Sequence, residues 1–93
     1  MYQVVEAKRF RRDVKRLEKS KRYDMRKLTR AIALLAAGQQ MPEQYRDHSL
    51  SGDLEGRREC HIESDWLLVY RQKKDKLVLH LLRSGTHSQL FHE

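Results

Sequence analysis

The chain has 93 residues, with 20 Lys and Arg against 13 Asp and Glu, and a formal charge of +7 when its five histidines are neutral. This length allows one modest core, so we expect a single domain over residues 1–93 without room for a bulky cofactor. A lone cysteine, Cys60, excludes an intramolecular disulfide, and no apolar run approaches the ~20 residues that span a bilayer. We therefore expect a cytoplasmic protein, not a membrane protein.

The positive charge is concentrated at the start of the chain. Residues 1–30 hold 12 Lys and Arg against 4 acids, a net charge of +8, whereas residues 31–93 hold 8 against 9, a net charge of −1. A segment this basic favours a polyanionic partner, either nucleic acid or an acidic protein.

The first elements are a short strand and a basic helix. Residues 2–6 are short and contain two valines, which is typical of a strand. Phe10, Val14 and Leu17 then recur at the spacing of one helical face, with basic side chains around the rest, and predict an amphipathic helix over residues 7–20.

A second helix and a group of strands follow. Asp24 is placed to cap an apolar helical stripe that ends at Gly38. Residues 57–63, 67–71 and 76–83 then have strand character, with a polar turn between the last two. The order predicts an α+β domain: β-α-α followed by a β-meander, with both helices packed on one face of a small, mainly antiparallel sheet of four or five strands.

Strand alternation divides the first strand of the meander into two faces. Cys60 and Ile62 are predicted to point into the core. The residues predicted to point the other way are Arg57, Glu59, His61 and Glu63. His61 is therefore expected to face away from the core.

Further polar residues occur where loops and strand ends can bring them together. His48 precedes the strand that carries His61, Asp65 follows that strand, and His87 follows the last strand, whose end holds Arg83. Such positions often carry functional groups, and histidines supply both an acid and a base at neutral pH.

Three chemistries could use these histidines and their polar neighbours. Zinc is disfavoured because neither an H-x₃₋₅-H nor a C-x₂-C pair is present, so we expect no metal. A Cys–His nucleophilic pair is disfavoured because alternation points Cys60 away from His61. Metal-free cleavage of RNA fits best, since the 2′-OH is the nucleophile and the protein supplies a base, an acid and the charge of Arg83.

Three segments together resemble a known family: residues 47–52 (DHSLSG), 56–70 (GRRECHIESDWLLVY) and 82–91 (LRSGTHSQLF). They are similar to the YafQ branch of the RelE/ParE toxin superfamily, and the preceding strand and two helices agree in order. The resemblance implies a RelE-like fold and a type II toxin that cuts mRNA in the ribosomal A site, without a cofactor, and that a cognate antitoxin inhibits. It also implies a monomeric toxin that enters a larger complex with its antitoxin.

The resemblance also implies site residues. The catalytic set would be His48, His61, Asp65, His87 and Arg83. The resemblance places Phe91 near the RNA, and Trp66, Arg57, Lys8 and Arg12 are further candidate RNA contacts. Phe91 could instead be a core residue and Trp66 a hydrophobic anchor of the turn, while the basic helices could bind ribosomal RNA, the antitoxin, or both.

Two other functions stay open. A ParE-like toxin poisons gyrase and does not cut RNA, and a non-catalytic module would only bind nucleic acid or protein. The histidine set argues against both, because phosphate binding alone would need only Lys and Arg.

Overall fold

The structure, a computed structural model, describes residues 1–50, 52 and 56–91. In chain order its elements are β1 (Gln3–Glu6), α1 (Lys8–Ser20), α2 (Met25–Ala36), a 3-10 helix (Glu43–Tyr45), β2 (His48–Ser49), β3 (Arg58–Glu63), β4 (Trp66–Lys73), β5 (Val78–Gly85) and α3 (His87–Phe91). Within those described ranges, no helix is both long enough and apolar enough to cross a membrane.

The five strands form one sheet in the order β1-β5-β4-β3-β2. β1 runs parallel to β5, while each of the other neighbouring pairs is antiparallel. The predicted α+β class and the predicted order of elements are confirmed, and α3 is an additional short helix.

One face of the sheet packs against α1 and α2 to form the main core. Phe10 and Leu17 of α1 are almost fully buried, as their helical spacing requires, and pack with Cys60 of β3 and Leu68 of β4. The inward direction predicted for Cys60 is confirmed. Burial of this apolar face is the main stabilising contribution.

Local signals place the ends of both helices. The Asp24 side chain accepts a hydrogen bond from the Arg26 backbone N–H and caps α2. α1 ends at Ser20, and the next residue, Lys21, caps it with a left-handed φ of 57°. Gly38, with φ 76°, follows α2 and turns the chain out of the helix.

The opposite face carries a second, smaller core. Leu67 and Val69 of β4 point to this side and are covered by Leu90 of α3. Because β4 is thus covered on both sides, its first five residues are all buried. Packing of Leu90 holds α3, and with it His87, at the end of this open face.

Candidate active site

The residues of interest form a row across the open face of the sheet. His48 of β2 is paired with Glu59 of β3, Glu59 with Val69 of β4, and Val69 with Arg83 of β5. Neighbouring strands are about 4.8 Å apart, so three steps across the sheet separate the first residue from the last. His48 was expected in a loop but lies in the short edge strand β2.

Glu59 lies at the centre of the three histidines predicted from the sequence. Its Oε1 is 3.7 Å from Nε2 of His48, 3.6 Å from Nε2 of His61 and 3.9 Å from Nε2 of His87. The neighbouring imidazole rings are centred 6.1–6.2 Å apart. The buried carboxylate can therefore stabilise a positive charge on any of these rings.

Arg46 orients two of the histidines. Nδ1 of His48 lies 2.7 Å from the carbonyl oxygen of Arg46 and must donate a proton to it, which leaves Nε2 as the acceptor of the neutral ring. Nδ1 of His61 lies 3.1 Å from Nη2 of Arg46 and 3.4 Å from the carbonyl oxygen of Ser64. In the tautomer in which Nδ1 accepts from Arg46, the proton of the neutral ring is on Nε2. The two rings thus present different groups to Glu59.

Asp47 fixes the start of β2. The Tyr70 hydroxyl donates to one oxygen of Asp47, and Nε of Arg58 donates to the other at 3.1 Å. Burial, and then the hydrogen bond to Asp47, raise the pKa of Tyr70, so its hydroxyl stays protonated and remains a donor. This network lies one residue before His48 and connects its position to the main core.

His87 is held by Asp65. Oδ1 of Asp65 accepts from the backbone N–H of His87 at 3.1 Å and lies 3.1 Å from Nδ1 of the ring. These two hydrogen bonds, the backbone one first, lower the pKa of Asp65. A carboxylate with a lowered pKa is a weak base, so Asp65 is suited to orienting His87.

Arg83 lies beside a groove of about 380 Å³ at the other end of the row. The groove has an apolar floor and a basic rim, and its lining residues are Arg9, Leu50, Arg57, Val69, Arg83, Leu90 and Phe91. Phe91 is 49% exposed, so it is not the core residue that was the alternative, and its ring centre lies 6.1 Å from that of His87. Arg57 and Phe91 therefore lie together beside Arg83, and their contact with RNA stays a prediction.

The predicted contact of Trp66 with RNA is wrong. Trp66 is 1% exposed, and its indole N–H donates to Oγ of Ser84 at 3.0 Å. Tyr23 packs edge-on against it, with ring centres 4.9 Å apart. β4 begins at Trp66, not at Leu67 as predicted, and alternation from that position points the indole into the main core.

Lys8 and Arg12 lie apart from the row. With Arg11 and Lys15 they line a groove of about 330 Å³ on α1. The neighbouring residue of the helix, Arg9, is the one that lines the groove beside Arg83. A basic helix spreads its charges around its circumference, and the sequence alone did not indicate which of them face the sheet.

Glu59 and Arg46 were not singled out from the sequence. Alternation placed Glu59 on the open face, where a carboxylate is normally solvated, but it is only 5% exposed because the histidines cover it. Arg46 lies outside the strand pattern, in a left-handed conformation with φ 46°. No sequence periodicity predicts that its carbonyl and guanidinium contact two different histidines.

The described residues include one group that could hold a metal ion. Ligand atoms of His48, Glu59 and His61 all lie within 4.8 Å of one another. Two imidazoles and a carboxylate are a donor set that zinc accepts, and pairing of β2 with β3 brings them together without a local spacing motif. Cys60 lies on the other face, and burial raises the pKa of its thiol to about 12, which disfavours a thiolate nucleophile or ligand.

Comparisons with known proteins agree with this architecture. A family described as "Bacterial toxin of type II toxin-antitoxin system, YafQ" matches residues 2–92. The mRNA interferase toxin YafQ of Escherichia coli K12 is 41% identical over 83 residues, covering 88% of this chain and 87% of the relative. A metal-bound toxin from Helicobacter pylori is 41% identical with a TM-score of 0.92, over 98% of this chain and 100% of that one. A chain of the E. coli DinJ-YafQ complex is 34% identical with a TM-score of 0.87, over 98% and 99% of the two chains.

Proposed function

The chain belongs to the YafQ family of bacterial toxins of type II toxin–antitoxin systems, and we propose that it is an endoribonuclease that cuts mRNA in the A site of the ribosome. The observation that carries this proposal is the approach of three histidine Nε2 atoms to one buried carboxylate oxygen, at 3.6–3.9 Å. The groups that could act as acid and base thus lie around one carboxylate.

The reaction is transesterification within the RNA. A base removes the proton of the 2′-OH, and the 2′-oxygen attacks the adjacent phosphorus. The bond from phosphorus to the 5′-oxygen breaks, and an acid gives that oxygen a proton. The products are a 2′,3′-cyclic phosphate and a 5′-hydroxyl, with no oxidant, reductant or water consumed. Each acid–base contribution is expected to be about 10²–10⁴-fold.

We assign the base to His48. Its Nδ1 donates to the Arg46 carbonyl, so Nε2 of the neutral ring is free to accept the 2′-OH proton. Glu59, 3.7 Å away, stabilises the imidazolium that forms. His61, with its proton on Nε2, is suited to donating a hydrogen bond to a phosphate oxygen.

We assign the acid to His87 with Asp65 as its orienting group. The carboxylate at Nδ1 favours the doubly protonated ring, whose Nε2–H then faces the leaving oxygen. Arg83 supplies positive charge for the phosphorane-like transition state, since its guanidinium matches two phosphate oxygens. Phe91, half exposed beside His87, provides a surface for a base.

We propose that cleavage requires no metal. The nucleophile is activated by an imidazole, so a chelator selective for transition metals, at constant free Mg²⁺, should leave the rate unchanged. The H. pylori relatives are described as metal-bound and copper-bound, and a Zn²⁺ or Cu²⁺ ion held by His48, Glu59 and His61 would occupy the Nε2 lone pair that the base needs. Added Zn²⁺ or Cu²⁺ should therefore inhibit this protein, and the same chelator should restore the original rate.

The partners follow from family and charge. A relative is known in complex with its antitoxin DinJ, and we propose a cognate antitoxin here, bound to a toxin that is monomeric when free and cytoplasmic. We propose that Lys8 and Arg12, which line the groove on α1, contact the ribosomal RNA backbone. If so, ribosome affinity should fall steeply as salt rises, and more gently in a Lys8→Ala, Arg12→Ala variant.

Induction in cells followed by mapping of mRNA 5′ ends tests the proposal, with His87→Ala as the inactive variant. Codon-phased cuts that disappear in His87→Ala support it. Arrested growth with intact message and gyrase-linked DNA breaks would favour the gyrase alternative. Intact message and normal growth in both would favour a binding module.

A further inference from the structure

A buried carboxylate outside the histidine cluster contacts the guanidinium of Arg83. Asp13 of α1 is 2% exposed. Its oxygens accept hydrogen bonds from Nε of Arg83 at 2.8 Å, Nη2 of Arg83 at 3.2 Å, the Ser84 backbone N–H at 2.9 Å and Nη1 of Arg16 at 3.0 Å. Four donors, three of them on charged guanidinium groups, thus surround this carboxylate.

The end of β1 explains why Asp13 reaches β5. The last pairing of β1 with β5 is Glu6 with Leu81, and the Ala7 N–H then donates to the Leu81 carbonyl at 2.9 Å. The chain turns into α1 at this point, so the following part of β5 lies beside a helix. Asp13, part of the second turn of α1, accepts the Ser84 N–H that a longer β1 would have paired.

We propose that Asp13 is a positioning residue for Arg83 during RNA cleavage; this rests on the proposed function, which gives Arg83 its role. Its carboxylate engages the Nε–Nη2 edge of the guanidinium at two points. Such a two-point contact fixes the plane of the group and prevents its rotation. Arg83 is thereby held beside the groove in one orientation before RNA binds.

A purely structural role would not require a charge at this position. The Ser84 N–H needs one acceptor, which a neutral amide oxygen provides equally well. A buried carboxylate is costly to desolvate unless charged donors match it. Both matching arginines reach towards the site: Arg83 lines the groove, and Arg16 also donates to Oε1 of Gln89 in α3 at 3.3 Å.

The test is a double-mutant cycle on cleavage of ribosome-bound mRNA. Asp13→Asn keeps size and one oxygen acceptor but removes the charge. We expect it to lower kcat about tenfold with KM within about twofold in the parent protein, and to have no further effect in Arg83→Ala. Glu18→Gln, the same chemical change at an exposed carboxylate of α1, should cut at the parental rate.

Equal losses in both backgrounds would show that Asp13 acts on the fold and not through Arg83, which overturns the inference. Parental activity of Asp13→Asn would overturn it too. Should Asp13→Asn fail to fold, Arg83→Lys replaces it: a lysine keeps the charge but cannot make the two-point contact, so cleavage should fall towards that of Arg83→Ala, and parental cleavage would contradict positioning.

Failure of this inference is distinguishable from failure of the proposed function. If Arg83→Ala cuts at the parental rate while His87→Ala is inactive, the ribonuclease proposal stands and the positioning role of Asp13 is wrong. If His87→Ala also cuts normally, the proposed function itself is wrong.

Discussion

The two faces of the sheet use the same strands for different purposes. On β3, Cys60 is fully buried against the helices, while its neighbours Glu59 and His61 lie on the opposite face among polar groups. One face is filled by aliphatic and aromatic side chains, and the other carries imidazoles, carboxylates and guanidinium groups. Alternation along a strand therefore lets adjacent residues serve stability and chemistry separately.

Two buried charged residues are exceptions to this separation. Glu59 is as buried as a core residue although it lies on the open face, and Asp13 is buried although it is charged. Each is surrounded by cationic or titratable partners, Glu59 by histidines and Asp13 by arginines. Each buried charge thus contacts several partners that hold it in place, as a preorganised site requires.

The largest expected effect is confined to the open face. His87→Ala should lower cleavage by about 10²–10⁴-fold, because the leaving oxygen loses its acid, while thermal stability stays close to that of the parent. The measurement is single-turnover cleavage together with thermal unfolding. His80→Ala is the matched control, because His80 lies outside the histidine cluster and its loss should leave cleavage at the parental rate. Burial, and then the charges of Lys73 and Arg71, lower the pKa of His80.

A substitution on the face that the helices cover should lower stability and leave cleavage unchanged. Leu35→Ala removes a side chain that is 2% exposed in the main core, and should cost about 2–5 kcal/mol of unfolding free energy. Cleavage per folded molecule should be parental, because Leu35 contacts no residue of the cluster. Urea unfolding and an activity assay on ice check this. Loss of activity in fully folded Leu35→Ala would contradict the separation of stability and chemistry between the two faces.

Glu59→Gln should give a smaller loss of cleavage. The amide is almost the same size but cannot balance the charge on the histidines, so we expect kcat to fall about tenfold, or ~1.4 kcal/mol of transition-state stabilisation. Stability should be unchanged or slightly higher, since a buried charge is removed. A variant that loses both folding and activity would show that Glu59 belongs to the core instead.

The smallest effect concerns pH. Because hydrogen bonds from His87 lower the pKa of Asp65 below its ordinary value of 3.8, ionised Asp65 stabilises the fold above that value. The contribution is lost as the pH falls through the lowered pKa. The melting temperature should therefore differ between the parent and Asp65→Asn above about pH 4, and the two should converge in stronger acid. A difference that persists at low pH would contradict this.

Much of the fold was readable from the sequence because its signals are local. The spacing of Phe10 and Leu17 predicted α1, and alternation predicted opposite faces for Cys60 and His61. Beyond His61 a register shift interrupts the alternation, and Glu63, predicted to point away from the core, pairs with Lys27 of α2. α3 was missed because five residues give too little periodicity, and Leu90 holds the helix only through packing on the sheet. Trp66 is buried in the main core, which fits the alternative of a hydrophobic anchor and not an RNA contact.

The site was readable only in part. The sequence predicted His48, His61, Asp65 and His87, and the structure brings the three histidines together around Glu59, with Asp65 bound to His87. Contacts between distant segments produce no local periodicity, so the sequence does not predict the roles of Glu59, Arg46 and Asp13. Lys8 and Arg12 were selected from a run of similar residues, and their proposed contact with RNA stays a prediction.

The most direct test of the chemistry on the open face is cleavage of ribosome-bound mRNA that carries a single 2′-deoxy nucleotide 5′ to the scissile phosphate, in buffer cleared of transition metals at constant free Mg²⁺. The proposed chemistry predicts that the all-ribose message is cut to a 2′,3′-cyclic phosphate and a 5′-hydroxyl, and that the deoxy message stays intact. Cleavage of the deoxy message, or a requirement for added metal, would contradict it.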